Sequence, residues 1–360
     1  MHKVCELYYN ACQKYGIIPT YNDYIAGFYF DFGKTRYIFR GTHTPLNDVS
    51  SGSISGNKYC TNRLLNEAGL PVPNADAVSK QEPEQSLEAL SKLSFPLVIK
   101  PTWDTACGTD VTCNIKDTQT LNKLLDAAFE KHDCMSVEEY QPGLRSYRVL
   151  VLYNKVIGVV ERIPAHVIGD GEHSIAQLIE IKNIEREKFK SILPLGKIRL
   201  MPETEIIFKE LGIEGPDYVP KLNERIPIRY ICNSTFGGSI IGLDLKKICP
   251  ENAEILCKAA KVLNLKMAGF DFICTDISIP YNQSKGYIIE ANASPDISIH
   301  ENVVEGVPTP VSQTLIKTFI KKHFFAYCLY RMNHGILSVF IRLIIFLLLA
   351  ALGYTYYVMA

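Results

Sequence analysis

The order of apolar and polar positions along the chain predicts a mixture of short strands and amphipathic helices. FPLVIKP and YRVLVLY have strand patterns, whereas NKYCTNRLLNEA and IAQLIEIKNIEREKFK have apolar residues at helical spacing. IRYICN, residues 228–233, also has a strand pattern, and it follows an irregular segment with a short helix at 193–227. Because strands and helices do not alternate strictly, we expect an α+β fold.

The C-terminal segment is apolar over a length that suits a membrane. GILSVFIRLIIFLLLAAL, from Gly335 to Leu352, contains only Ser338 and Arg342 as polar side chains, and tyrosines follow it. About 18 apolar residues are enough to cross a hydrocarbon core as a helix, and Tyr is enriched at membrane interfaces. The segment is therefore predicted to be a membrane anchor, and an interfacial helix or a core helix is the alternative.

Composition narrows the possible classes of function. Lys plus Arg and Asp plus Glu each number 38, so no overall field would attract nucleic acid and any anion site must be local. The 11 cysteines contain no CxxC pair, and the N-terminus lacks a signal-peptide pattern. Both features favour a reducing cytosol over a zinc or disulfide framework.

Two neighbouring strand patterns carry polar side chains where apolar ones would be expected. AGFDFICTD, residues 268–276, and GYIIEAN, residues 286–292, are separated by a turn-rich loop, which predicts a β-hairpin. A hairpin centred near residues 280 and 281 places Asp271 opposite Glu290. Asn292 then shares a face with Glu290, roughly 6 to 7 Å away along the strand.

These three side chains could form a metal site. Two carboxylates held together in an apolar sheet repel each other unless a cation lies between them. Hard divalent ions that carry nucleotide phosphates, above all Mg²⁺, prefer such oxygen ligands, and Mn²⁺ is an alternative. Spacing alone equally allows each side chain to point into solvent at a sheet edge.

Several motifs in the same order resemble the ATP-grasp superfamily. They are a Lys at a strand end in VIKP, the acidic strand VEEY before a Pro-Gly turn, and the Asp and Glu-x-Asn of the hairpin. ERIPAHVIGDGEHSIAQLIEIKN, IRYICNSTFGGSI and GYIIEANASPDISIH look more narrowly like the ATP-grasp domain of cyanophycin synthetases and the glutathione synthetase-like module of bifunctional glutathione enzymes. The resemblance covers about residues 57 to 315.

The resemblance implies a fold and a domain order. Two α+β subdomains of an ATP-grasp fold would hold ATP between them. We expect an N-terminal α/β unit at 1–55, a small subdomain at 56–136, a large subdomain with the metal site at 137–318, and the anchor helix at 319–360.

The resemblance also implies roles for individual residues. Lys58 and Lys100 match lysines that contact ATP phosphates, and Glu138, Glu139 and Tyr140 match the strand that pairs with adenine. Asp271, Glu290 and Asn292 match the Mg²⁺ ligands. Arg148, Arg229 and Asn233 match positions that face the phosphates or the substrate carboxylate in relatives. His300 matches a histidine near the acceptor region. Gly108 is the one glycine kept in a loop that is glycine-rich in the relatives.

The implied activity is an ATP-dependent carboxylate–amine ligase that forms an amide through an acyl phosphate. Small-molecule or peptide acids and amines would be its substrates, and the anchor would hold it at the cytoplasmic face of a membrane. A homodimer is left open. The glycine-poor loop and Ser146, which replaces an acid of the relatives, favour the alternative of a degenerate module that binds nucleotide or a partner without ligating. Asp296 after NASP either caps a turn or adds a carboxylate to the site.

Overall fold

The computed structural model describes residues 1–103, 110–190, 193–334 and 336–359. The chain divides into two compact units, one formed by Met1–Pro45 with Pro310–Ala360 and the other by Leu46–Thr309. We refer to them as the terminal unit and the central unit. Gly108, predicted to approach the nucleotide, lies outside the described residues.

The helices are numbered in chain order. They are α1 (Lys3–Lys14), α2 (Val49–Gly56), α3 (Lys58–Glu67), α4 (Pro83–Ser91), α5 (Thr118–Ala128), α6 (Ile175–Glu187), α7 (Pro202–Leu211), α8 (Pro250–Val262), α9 (Ser298–Glu301), α10 (Val311–Lys322), α11 (Phe324–Asn333) and α12 (Ile336–Met359).

The strands follow the same convention. They are β1 (Thr20–Asn22), β2 (Gly27–Phe32), β3 (Thr35–Arg40), β4 (Ala75–Ser79), β5 (Leu97–Pro101), β6 (Thr112–Ile115), β7 (Cys134–Glu139), β8 (Arg145–Leu152), β9 (Lys155–Ile163), β10 (His166–Ile168), β11 (Arg225–Pro227), β12 (Ser239–Leu243), β13 (Met267–Cys274), β14 (Gly286–Asn292) and β15 (Glu305–Gly306). The mixture of helices and sheets confirms the α+β prediction.

The terminal unit is built around aromatic side chains. Its sheet has the order β1-β2-β3, with phenylalanines at the inward positions of β2 and with Tyr37 and Phe39 on the inward face of β3. Phe28 and Phe39 stack with ring centroids 4.7 Å apart, and Phe319 of α10 contacts Phe30 edge-on at 5.7 Å. These contacts join the N-terminal hairpin to a helix almost 300 residues later in the sequence.

Helix α12 ends the terminal unit. Its segment Ser338–Thr355 is long and apolar enough to cross a membrane, by length and composition. This agrees with the apolar segment predicted from the sequence.

The central unit contains two larger sheets. One has the order β4-β7-β5-β6, and the other has the order β14-β13-β8-β9-β12-β15. Neighbouring strands are antiparallel except β12 and β15. Helix α8 covers the second sheet, where Leu256 and Ala260 belong to the same buried cluster as Val149 and Phe270.

The strand predicted at residues 228–233 needs correction. Residues 228–233 are not a strand, because the N–H of Tyr230 donates to the Glu203 carboxylate at 2.8 Å instead of to a neighbouring strand. The strand of this region is β11, just before it, which pairs with β10. Residues 137–139 of VEEY lie in β7, which is inside its sheet between β4 and β5, and Tyr140 follows directly after the strand.

Asn47 joins the two ends of the hairpin that carries the predicted metal ligands. Its side-chain Oδ1 accepts hydrogen bonds from the N–H of Lys266 at 2.8 Å and from the N–H of Met267 at 3.1 Å, where β13 begins. Its amide nitrogen donates to the carbonyls of Met267 at 2.7 Å and Ala293 at 2.8 Å, just past the end of β14. One side chain therefore satisfies four backbone groups that flank the hairpin.

We predict that Asn47→Ala destabilises the central unit by about 1 to 3 kcal/mol, because backbone groups lose their partners. Urea unfolding followed by circular dichroism measures this loss. Asn282→Ala, in the exposed turn between β13 and β14, is the control and should change stability by less than about 0.5 kcal/mol. Equal stability of the two variants would contradict this role of Asn47.

Candidate active site

A cavity of about 430 Å³ lies in the central unit between its two larger sheets. This volume is typical of a small-molecule site. The lining combines apolar side chains with ten of the residues named from the sequence: Lys58, Lys100, Glu138, Glu139, Tyr140, Arg148, Asn233, Asp271, Glu290 and Asn292. Most of them come from strands, so the sheets fix their positions.

The register of β8, β13 and β14 brings three charged residues together. Asp271 pairs directly with Arg148 on one side and with Glu290 on the other. Directly opposed residues in antiparallel strands project from the same face, so all three point into the cavity. The predicted Asp271–Glu290 pairing is thus confirmed.

A β-bulge in β14 shapes the cavity wall. Asp271 pairs with Glu290 but Phe272 pairs with Ile288, which leaves Ile289 as the extra residue. As a result, Ile289 and Glu290 both line the cavity although they are consecutive. The Ile289 carbonyl accepts a hydrogen bond from Lys100 Nζ at 3.2 Å.

Asp271 lies between two arginines. Its Oδ1 is 2.6 Å from Arg148 Nε, and its Oδ2 is 2.7 Å from Arg162 Nη2. Arg162 Nη2 also donates to Ser146 Oγ at 2.9 Å. All these side chains are largely buried, so the ion pairs are only weakly screened by solvent.

Arg162 is the site residue that the sequence reasoning missed. The turn between β8 and β9 is Tyr153-Asn154, with positive φ at both residues, as in a type I′ hairpin. A plain two-residue hairpin would pair Ser146 with Glu161. A bulge at Ile157 of β9, opposite Leu150 and Val151, shifts the register by one residue. Ser146 therefore pairs with Arg162 instead.

Glu290 is partly buried in the cavity wall, and both cations and a carboxylate surround it. Burial, together with the charge of Asp271, raises the pKa of Glu290 above its ordinary value. The nearby cations Arg148, Lys58 and Lys100 act in the opposite direction. A further cation close to Glu290 would therefore favour its ionised form.

The two predicted phosphate lysines both face the cavity. Lys100 on β5 forms a buried ion pair with Glu138 of β7. Lys58 is the first residue of α3, whose cap Asn57 accepts from the N–H of Cys60 at 2.9 Å. Lys58 Nζ lies 3.5 Å from the Trp103 carbonyl, and its ammonium lines the cavity.

Strand β7, the hinge strand predicted to pair with adenine, carries interactions that the sequence did not predict. Glu139 accepts from Asn74 Nδ2 and from the N–H of Ser94, both at 3.0 Å. The N–H groups of Glu139 and Tyr140 donate to the carbonyls of Asn74 and Pro96. These groups therefore hold the strand in place, and Glu138 is the more buried of the two glutamates.

Three further predicted residues occupy different surroundings. Arg229 is not among the residues that line the cavity; its Nε donates to Glu203 Oε2 at 3.0 Å. Asn233 lines the cavity, and its Oδ1 accepts from the N–H of Thr235 at 2.9 Å. His300 is buried away from the lining, and burial lowers its pKa to about 3. Their predicted roles stay predictions.

The remaining sequence question at the site concerns Asp296. Its Oδ1 accepts a hydrogen bond from the N–H of Ser298 at 2.8 Å, two residues further on. This is the local turn geometry expected of Asp in that position. The turn interpretation of Asp296 is therefore confirmed.

The two larger sheets enclose a cavity lined by carboxylates from their strands, by Lys100 of β5 and by Lys58 of α3, an arrangement typical of the ATP-grasp fold. Residues 55–170 match the model of the RimK-like ATP-grasp domain. The fold resembles the crystal structure of a bifunctional glutathione synthetase from Pasteurella multocida, with a TM-score of 0.62 and 24% identity, over 89% of this chain and 44% of that chain. Residues 55–170 therefore match a RimK-like ATP-grasp domain, and the fold is that of ATP-grasp proteins.

Curated relatives carry more specific names. A cyanophycin synthetase from Trichormus variabilis is 30% identical over 78% of this chain and 31% of its own length. The glutathione biosynthesis bifunctional protein GshAB from Listeria welshimeri is 32% identical over 74% of this chain and 34% of its own length. The chain thus spans about a third of the length of these relatives.

We predict that Arg162→Met destabilises the central unit by about 3 kcal/mol, because Asp271 loses one of two buried partners. Urea unfolding measures the effect. The matched control Lys92→Met removes an exposed pair with Glu88 and should cost less than about 1 kcal/mol. If both variants lose the same small amount, the buried charge cluster does not contribute to stability as described.

Proposed function

We propose that the chain is a membrane-tethered, ATP-dependent ligase that joins a carboxylate to an amine through an acyl phosphate. The observation that carries the proposal is the convergence of Lys58, Lys100 and Arg148 with the Asp271–Glu290 pair in one cavity. The names of the relatives, which are synthetases, support the same class of reaction.

Part of the cavity lining is apolar and would contact a purine base. Val98 of β5, Ile273 of β13 and the bulged Ile289 lie in this part, and Tyr140 follows the hinge strand β7. An aromatic or aliphatic surround with a few polar groups is typical of a cofactor site. In the proposal, Glu138 and the hinge backbone beyond Tyr140 face the polar edge of adenine.

The lysines would bind the phosphates. Lys100 is pre-positioned by Glu138 and by the Ile289 carbonyl, so little side-chain entropy is lost when it contacts a phosphate oxygen. Lys58 would add a second ammonium from the first turn of α3, where the helix dipole also favours negative charge.

The donor set fits a hard divalent cation. Asp271 is buried, and Glu290, its cross-strand neighbour, is partly buried and has a raised pKa. Asn292 adds an amide two residues further along the same strand. These three residues would hold Mg²⁺ or Mn²⁺. When bound, the ion would neutralise negative charge on the phosphates.

The arginines would stabilise charge during the reaction. The substrate carboxylate oxygen bonds to the γ-phosphorus of ATP while the bond to ADP breaks. The amine nitrogen then bonds to the acyl carbon, the acyl–phosphate bond breaks, and the amine gives up a proton. Arg148, held beside the cavity by Asp271, is placed to neutralise the transferred group. Positioning and charge neutralisation suffice, so no protein nucleophile is required.

The substrates are proposed to be small-molecule or peptide acids and amines, with Asn233 of the cavity lining, Arg229 and His300 near them. Helix α12 would tether the ligase to a membrane, with the central unit on the cytoplasmic side. Its apolar length is what supports this part of the proposal.

We predict that ATP-dependent phosphate release requires both an acid and an amine and falls about a hundredfold in Glu290→Gln. The neutral isostere removes a partly buried charge, so the variant should stay as stable as the original chain. Pools of amino acids and dipeptides, with amide products detected by mass spectrometry, provide the assay. Glu88→Gln on exposed α4 is the control.

One outcome would contradict ligation, and another would contradict the proposed metal site. Tight ATP binding without acceptor-dependent phosphate release in any pool would favour a degenerate nucleotide-binding module. Full turnover in Glu290→Gln would remove the proposed metal site from the reaction.

A further inference from the structure

Helix α11 of the terminal unit has two different faces. Tyr327 Oη donates to the Tyr15 carbonyl at 2.6 Å, Tyr330 Oη accepts from the N–H of Ile18 at 2.8 Å, and Arg331 Nη1 lies 3.4 Å from the Tyr15 carbonyl. These contacts fix the rotation of α11 about its own axis.

The opposite face is apolar and uncovered. Phe325, Leu329 and Met332 are 83%, 60% and 45% exposed, and we call them the α11 stripe. Their spacing of four and three residues places them on one side of a helix. At 100° per residue, that side points away from Tyr327 and Tyr330.

The α11 stripe leads directly into the apolar tail. Helix α12 begins at Ile336, four residues after Met332, and its leucines, among them Leu343 and Leu348, are more than half exposed. Both helices belong to the same compact unit. One occupant that covers α12 would therefore reach the stripe without any change in the terminal unit.

The charge pattern identifies that occupant. No Asp or Glu occurs in residues 306–360, whereas Lys321 and Lys322 are exposed at the end of α10, just before α11. Lysines that flank an apolar helix face are typical of binding to anionic lipid, because their ammonium groups are attracted to the lipid phosphates.

We propose that α11 lies flat in the interface of an anionic bilayer, with its stripe in the boundary between headgroups and acyl chains and with Lys321 and Lys322 at lipid phosphates. The inference rests on the proposed membrane tether and adds a second contact to it. The segment between α1 and β1, which holds α11 through Tyr15 and Ile18, then orients the terminal unit on the membrane.

Tryptophan quenching tests this on the full chain. Trp103 is the only tryptophan, so Trp103→Phe gives a silent background. Leu329→Trp, Leu348→Trp and Leu222→Trp then report the stripe, the tail and a water-exposed reference in the central unit. Each variant is reconstituted in phosphatidylcholine–phosphatidylglycerol vesicles whose acyl chains carry bromine near the headgroup or near the chain end.

We expect shallow bromines to reduce Leu329→Trp emission about twofold, because the stripe would lie only ~5–10 Å deep. Deep bromines should quench Leu348→Trp, and Leu222→Trp should be unaffected. Lys321→Gln with Lys322→Gln should weaken the quenching of Leu329→Trp and leave that of Leu348→Trp unchanged.

The outcomes separate the inference from the tether. Quenching of Leu348→Trp without quenching of Leu329→Trp would keep the tether and overturn the interfacial placement of α11. Loss of quenching at both sites would refute the tether as well. A blue-shifted Leu329→Trp that bromine does not quench would mean that protein, such as a second copy of the chain, covers the stripe, and this would also overturn the inference.

Discussion

The ion pairs of Asp271 with Arg148 and Arg162 are the interaction on which the site depends. Three neighbouring strands, β9, β8 and β13, each contribute one member of this cluster, and β14 adds Glu290 beside it. A buried carboxylate needs such partners, and two guanidinium groups so close together need the carboxylate. Each charge thus lowers the free-energy cost of burying the others. The cluster forms one part of the cavity lining, which we call the floor of the cavity.

Two β-bulges determine which side chains line the floor of the cavity. The bulge in β9 places Arg162 rather than Glu161 beside Ser146, and the bulge in β14 places Ile289 next to Glu290 at the cavity. Without the first bulge, another carboxylate would replace a cation in the cavity wall. Without the second, Lys100 would lack the carbonyl that positions its ammonium. Local irregularities in otherwise regular sheets therefore set the charge balance that a nucleotide would meet.

The sequence predicted the parts of this arrangement that follow from short-range pattern. The pairing of Asp271 with Glu290 was predicted from a hairpin centred near residues 280 and 281, but the strands next to the loop pair one residue out of that register, and the bulge at Ile289 restores the predicted pairing. The turn at Asp296 could be found because Asp bonds locally to its own backbone. Arg162 could not be found in this way, since a bulge inside β9 changes its face without a clear signal in the sequence. The strand assigned to residues 228–233 failed for a related reason: Glu203, from a distant helix, takes the hydrogen bond that a strand would have made.

The central claim is that the cavity binds ATP with a metal ion held by the β13–β14 hairpin. A crystal structure of the full chain with Mg²⁺ and a non-hydrolysable ATP analogue tests it most directly. The account predicts phosphate oxygens beside Lys58 and Lys100, with Mg²⁺ at about 2.0–2.1 Å from carboxylate oxygens of Asp271 and Glu290. A nucleotide bound elsewhere, or a cavity in which Asp271 and Glu290 make no contact with the ion, would contradict it.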